Sequence, residues 1–162
     1  MSARVVLHDV DEAALAELAA RLAPAARGGG VIHLAGELGA GKTTFARALL
    51  RALGVGERVK SPTYSLIESY CVAGLDIHHL DLYRIAGAGE LEWLGLGDLW
   101  SAPALLLIEW PERGAGALPP PDLAIALHHA GLARTVDAVA HSARGRGLLD
   151  VWKGGPAVDR AL

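Results

Sequence analysis

The 162-residue chain contains no asparagine and no glutamine. It therefore lacks the Asn-Lys-x-Asp element with which Ras-like proteins read guanine, and the glutamine with which they orient water, so a Ras-like GTPase is all but excluded. Cysteine occurs once, at Cys71, which rules out an internal disulfide and suits a reducing cytosol; its default place is as a small buried hydrophobe. Aromatic residues make up only 5% of a chain that is 52% hydrophobic, so the core must be built from Ala, Leu, Val and Ile. No apolar run reaches about 18 residues and no charged-then-apolar leader precedes the first strand, which predicts a soluble, cytoplasmic protein with no membrane partner. The net charge of -3, without a long basic run, argues against a stand-alone nucleic-acid binder. At this length one domain, 1–162, is expected, with no repeats.

What the chain does have is Gly36-Glu37-Leu38-Gly39-Ala40-Gly41-Lys42-Thr43, which fits G-x-x-x-x-G-K-[ST]. The apolar run 31–35 before it reads as a strand. Residues 43–53 read as a helix, with Phe45, Leu49 and Leu53 on one stripe and Gly54 as the stop. Strand, glycine loop and helix together are the setting of a phosphate cradle. Glycines 36, 39 and 41 permit positive φ, so the loop amides can converge on an anion at the helix N-terminus. Lys42 is expected to reach the β- and γ-phosphates and the Thr43 hydroxyl to ligate Mg²⁺. Thr44 is either an α-phosphate donor or an ordinary first-turn residue.

Elsewhere the patterning predicts a strand over 4–8 and a helix capped by Asp9 or Asp11 and running to Leu22, with Leu15, Leu18 and Leu22 inward. Strands are expected over 63–72 and 75–80, a helix around 90–93, and a strand buried on both faces over 105–108. Pro119-Pro120-Pro121 is a stiff spacer before a terminal antiparallel pair, 123–127 and 135–140. From Arg144 the pattern weakens, and about 145–162 is expected to be a loosely patterned tail.

A phosphate loop of this kind needs a second acid near the metal, at the end of a neighbouring buried strand. Glu109, directly after 105–108, is the best candidate, because strand C-termini border the ligand crevice of an open α/β sheet. Asp81, ending the run 77–80, is the second: it either orients water, acts as a base or holds Mg²⁺ through water, or it caps a turn. Ser61-Pro62-Thr63 lies where related NTPases keep a γ-phosphate sensor, but Ser and Pro are commonplace in turns and a plain turn is the stronger reading. His78 and His79 point to opposite strand faces and cannot share one metal, as with His128 and His129, so zinc is not expected. Arg84 could neutralise transferring phosphate or pair with an acid.

These strings, together with Val59-Lys60-Ser61-Pro62-Thr63-Tyr64, His79-Leu80-Asp81-Leu82-Tyr83-Arg84, Glu90-Leu91-Glu92 with Gly95, and Ile108-Glu109-Trp110-Pro111-Glu112, resemble the TsaE (YjeE) family. The resemblance runs from about residue 4 to about residue 140. It implies a three-layer P-loop α/β sandwich whose mainly parallel central sheet is flanked by antiparallel strands. It also implies binding of ATP or ADP with Mg²⁺, weak ATP hydrolysis, and work with the TsaB–TsaD pair that adds a threonylcarbamoyl group to adenosine in tRNA, with tRNA reached through that complex. The family's Mg²⁺ ligands fall on Thr43 and Glu109, its hydrolysis-linked acid on Asp81, and its nucleotide-side tryptophan on Trp110. Lys42, Asp81 and Glu109 would then be catalytic. Glu37, Leu38, Gly39, Ala40, Gly41, Lys42, Thr43 and Thr44 would bind nucleotide. Glu12 would border the base, and Thr63 would sit in a switch-like loop, against the plain turn that its composition suggests. Two other functions compete: a small-molecule P-loop kinase, disfavoured by the Gly- and Leu-rich stretch after Arg84, and a nucleotide-dependent binding module without useful catalysis.

Overall fold

The computed structural model describes residues 3–100 and 103–153, and among them seven strands form one mixed sheet. The strands are β1 (Ala3–Val10), β2 (Gly30–Gly36), β3 (Ile67–Val72), β4 (Leu75–Asp81), β5 (Leu105–Glu109), β6 (Leu123–Ala130) and β7 (Ala133–Ala140). Their spatial order is β1-β7-β6-β2-β5-β4-β3. The four central strands β6, β2, β5 and β4 run parallel. Antiparallel strands flank them, β7 and β1 at one edge and β3 at the other, as expected for the fold. All five residues of β5 are buried, which is what a continuous apolar run requires of a strand covered on both faces.

The helices are α1 (Glu12–Arg21), α2 (Ala23–Ala26), α3 (Lys42–Leu53), α4 (Ala88–Trp93) and α5 (Ala143–Lys153). Asp11, not Asp9, caps α1, accepting the Ala14 amide at 2.8 Å; Asp9 instead takes a positive φ of 55° where the β1–β7 register shifts. Phe45, Leu49 and Leu53 of α3 are fully buried, and Gly54 ends the helix in the left-handed conformation at φ 108°. Apolar residues of α1, α3 and α5 join one face of the sheet in the larger core, with Leu15, Phe45 and Leu148 among them. A smaller core on the opposite face combines Leu80, Leu106 and Ile108 with Leu91 of α4. That asymmetry leaves the second face thinly covered, by α4 and short 3₁₀ turns at Leu96–Leu99 and Pro111–Gly114.

Several boundaries differ from expectation. The strand predicted over 63–72 starts only at Ile67, because the chain first folds into a turn closed by the Leu66 amide donating to the Pro62 carbonyl at 2.8 Å. The hairpin β6–β7 is longer than predicted and is not terminal in the sheet, since β6 pairs with β2 and β7 with β1. Cys71 is exposed on edge strand β3 rather than buried. The largest correction concerns the loosely patterned tail expected from about 145, the first part of which belongs to α5 (Ala143–Lys153). Trp152 is fully buried, its ring edge-on to Phe45 at 6.2 Å between centroids, and its Nε1–H donates to the Leu18 carbonyl at 2.9 Å. The rest of the expected tail, 154–162, lies outside the described residues. Among the described residues no helix is long and apolar enough to cross a membrane.

Candidate nucleotide and metal site

Parallel pairing brings the C-terminal ends of β2, β4 and β5 to the same edge of the sheet, and Gly36, Asp81 and Glu109 with them. In register, Asp81 lies opposite Glu109, and Glu109 opposite Leu34 two residues before the loop. The strands end in the glycine loop, Asp81 and Glu109 respectively, and hydrogen bonding along the sheet brings these ends together.

The loop takes the conformation its glycines permit, with φ of 147° at Gly36, 79° at Gly39 and 112° at Gly41. Two of these positions also have no room for a side chain. A Cβ at Gly36 would strike the Leu127 carbonyl of β6, and one at Gly41 would strike Leu15 of α1 and the Arg134 guanidinium of β7. The loop delivers the chain into α3, whose first residues Lys42, Thr43 and Thr44 line the cavity. The cavity has a volume of about 320 Å³. That is at the small end of ligand pockets, roughly 300–1,000 Å³, and suits a phosphate chain better than a whole nucleotide.

Ten of the residues singled out in the sequence line this cavity: Leu38, Gly39, Gly41, Lys42, Thr43, Thr44, Thr63, Asp81, Glu109 and Trp110. Arg84 lines it too, its guanidinium 4.8 Å from the centroid of the exposed Tyr64 ring. Ala40 is buried beneath the loop, and Glu37 is an exposed loop residue that contributes its carbonyl. Glu12, in the first turn of α1, is not among the lining residues.

Lys42 is buried and folds back on its own loop. Its Nζ donates to the Gly36 carbonyl at 2.5 Å and the Glu37 carbonyl at 2.8 Å, and lies 4.0 Å from the centroid of the Trp110 ring. Burial pushes its pKa below the ordinary lysine value, opposed by the charges of Glu109, Glu112, Asp81 and Glu37. Trp110 reaches this position from a left-handed backbone at φ 57°, a strained conformation for a bulky residue, and doubly so ahead of Pro111. Strain of that kind persists where the surroundings over-determine it: the Trp110 amide donates to the Leu34 carbonyl at 3.2 Å and its ring packs on Tyr83 at 4.9 Å.

Glu109 is 1% exposed and both its oxygens are engaged. Oε1 accepts the Thr43 hydroxyl at 2.8 Å, and Oε2 meets His79 Nε2 at 2.6 Å. Asp81 is held more loosely. Its Oδ1 accepts the Tyr83 amide at 3.0 Å, and among the described residues its Oδ2 has only a long hydrogen bond, 3.4 Å, from the Thr63 hydroxyl. Thr63 Oγ1 also lies 2.9 Å from Ser61 Oγ, and of the Ser61-Pro62-Thr63 segment, which turns here, Thr63 lines the cavity.

The Thr43 and Glu109 oxygens fit Mg²⁺. They are hard donors, already adjacent and open to the cavity, and Mg²⁺ commonly takes one or two protein oxygens with substrate phosphate and water supplying the rest. Among the described residues there is no cluster of three or more His, Cys, Asp or Glu that could hold a metal by itself.

Three residues with places at the site carried no assigned role in the sequence reading. Tyr83 lines the cavity, Arg134 packs its guanidinium against Gly41, and His79 binds Glu109. His78 and His79 do fall on opposite faces, with His78 Nδ1 2.7 Å from Ser69 Oγ. The same alternation puts His79 on the face of Asp81, a signal available in the sequence once that acid was suspected.

Comparison with known proteins gives a consistent result. A model of the family described as "Threonylcarbamoyl adenosine biosynthesis protein TsaE" matches residues 10–136. A Haemophilus influenzae protein named as the tRNA threonylcarbamoyladenosine biosynthesis protein TsaE is 40% identical over 122 residues, 75% of this chain and 77% of the relative. A Bacillus subtilis protein of the same name is 37% identical over 118 residues, 73% of this chain and 72% of the relative. The crystal structure of Bacillus subtilis YdiB superposes with a TM-score of 0.76 at 28% identity, covering 93% of this chain and 94% of that one.

Proposed function

The chain belongs to the TsaE family of threonylcarbamoyl adenosine biosynthesis proteins, and from that premise we propose that it is a Mg²⁺-dependent ATPase serving tRNA threonylcarbamoyladenosine modification in the cytoplasm. In this reading it acts beside the TsaB–TsaD transferase and reaches tRNA through that complex. The observation that carries the proposal is the Thr43–Glu109 hydrogen bond beside the buried Lys42, with Asp81 in register on the next strand.

The residues divide the work by how each is held. Among the described residues the Lys42 ammonium is held by neutral carbonyls and a ring face, so the phosphates of ATP would offer it a stronger, charge-assisted partner within the cavity it lines. The loop amides and the α3 N-terminus bind the phosphate oxygens. Thr43 and Glu109 would hold Mg²⁺, which when bound neutralises charge on the β- and γ-phosphates. With both its oxygens engaged, Glu109 is suited to the metal. Asp81 has the freer oxygen, Oδ2, and orients the attacking water toward the γ-phosphorus. Trp110 and Tyr83 wall the cavity against bulk water.

Reconstitution tests this. ATP turnover measured with and without TsaB–TsaD and tRNA is expected to rise with the partners present. Lys42→Ala should lose nucleotide binding. Glu109→Ala should retain nucleotide binding but lose Mg²⁺-dependent hydrolysis, by about 10²-fold or more for a lost charge-stabilising group. Unchanged turnover in purified Glu109→Ala would remove the metal role, and transfer of phosphate to a metabolite rather than release to water would replace the ATPase with a kinase.

A further inference from the structure

We propose that His79 is a positioning residue: it pins one oxygen of Glu109 so that the other is presented to the metal and the Thr43 hydroxyl. The inference rests on the nucleotide–metal reading above and assigns a role to a residue outside the cavity.

His79 is fully buried in β4, and among the described residues its side chain makes one hydrogen bond, to Glu109, between Nε2 and Oε2 at 2.6 Å. A carboxylate can only accept, so Nε2 carries the hydrogen and donates it. Nδ1 is buried and has no partner among the described residues. A buried, unpaired ring nitrogen is a cost that an apolar residue of the same size would avoid. The remaining polar contact therefore has to justify a histidine in the core, and that contact is with Glu109 alone.

Geometry shows what the contact achieves. In register, His79 faces Leu107 and Asp81 faces Glu109, so His79 lies one pleat behind Glu109 on the same face of the sheet. From there it reaches forward to Oε2, the oxygen turned away from Thr43. A glutamate side chain has three rotatable torsions, and at the end of β5 nothing in the backbone fixes its carboxylate plane. Two bonds from opposite sides, His79 on Oε2 and Thr43 on Oε1, do so. If Oε1 gave up the Thr43 hydrogen bond to serve as a metal ligand, the His79 bond on Oε2 would keep it aimed toward the cavity. Partners behind a metal ligand commonly set its orientation in this way, and losing one costs about 10–100-fold in metal affinity or activity.

The test is a calorimetric titration with a non-hydrolysable ATP analogue bearing a β–γ imido bridge, in EDTA and across a range of Mg²⁺ concentrations. His79→Leu removes the donor and keeps the volume. His79→Gln restores a donor amide at the position of Nε2, and His79→Asn supplies an amide that stops short of Oε2. Leu and Asn variants are expected to bind the analogue in EDTA as the wild type does, and to need about 10–100-fold more Mg²⁺ for half of the metal-dependent gain. The Gln variant should stay within a few-fold of wild type. If His79→Leu does not fold, the comparison of Asn with Gln decides. Equal Mg²⁺ dependence of Asn and Gln overturns the positioning role, as does a wild-type Mg²⁺ dependence in His79→Leu. Wild-type binding indifferent to Mg²⁺ overturns the metal reading itself, a result distinct from either.

Discussion

His78 and His79 are adjacent in the chain and have unrelated environments, because a strand turns consecutive side chains to opposite faces. His79 is sealed behind Glu109, whereas His78 is half-buried against Ser69 at the edge of the sheet. His33, on the central strand β2, is a third case. Burial lowers the pKa of both His33 and His78 below the ordinary histidine value; at His33 the nearby His141 adds to the effect and a hydrogen bond to the Pro119 backbone opposes it. The unfolded chain therefore binds protons that the folded chain refuses, just below pH of about 6.5. Stability should fall as pH drops through that window. Urea midpoints taken between pH 7 and pH 5.5 are expected to decrease, and His33→Leu should flatten the dependence; an identical slope in that variant would remove His33 from the account. At this scale the glycine loop, Lys42, Asp81 and Glu109 were legible because each sits at a strand end or in a contiguous motif. Tyr83 and Arg134 were not, because each owes its place to a contact with a residue distant in sequence, and His79 was signalled only by its alternation with Asp81.

At the scale of elements, α1 and α3 carry their own punctuation. Asp11 caps the first and Gly54 stops the second, both as local chemistry prescribes. Asp11→Ala should lower stability by about 1 kcal/mol, seen as a reduced urea midpoint at unchanged slope. The helix that sequence patterning missed, α5, has a reason for its silence. Its buried stripe is Gly145, Leu148, Leu149 and Trp152, a helical spacing whose first member is a glycine. Hydropathy does not register glycine as core, and its helix propensity is about 1 kcal/mol worse than that of alanine. Gly145 is there because a side chain would collide with the Asp122 carbonyl, and its amide donates to Ser142 Oγ at 3.0 Å, which starts the helix. No one-dimensional pattern contains that constraint.

Across the whole molecule, α5 closes the larger core, and Trp152 is its anchor. Trp152→Ala should cost about 3–5 kcal/mol, measured by urea unfolding, because it deletes the contact with Phe45 and strands the Leu18 carbonyl. Its effect on nucleotide affinity under native conditions should be small, since it lies in the core and not among the residues lining the cavity. By itself the sequence determined the local features: the glycine loop, its strand and helix, and the buried strand that ends in Glu109. Those depend on neighbours a few residues away, whose spacing is read directly along the chain. Only the tertiary structure decided which strands lie side by side, and hence that Asp81 faces Glu109, that His79 stands behind it, and that Lys42 rests on Trp110. Hydrogen bonding between strands far apart in sequence sets those contacts, and the pattern within any one strand is indifferent to its neighbour.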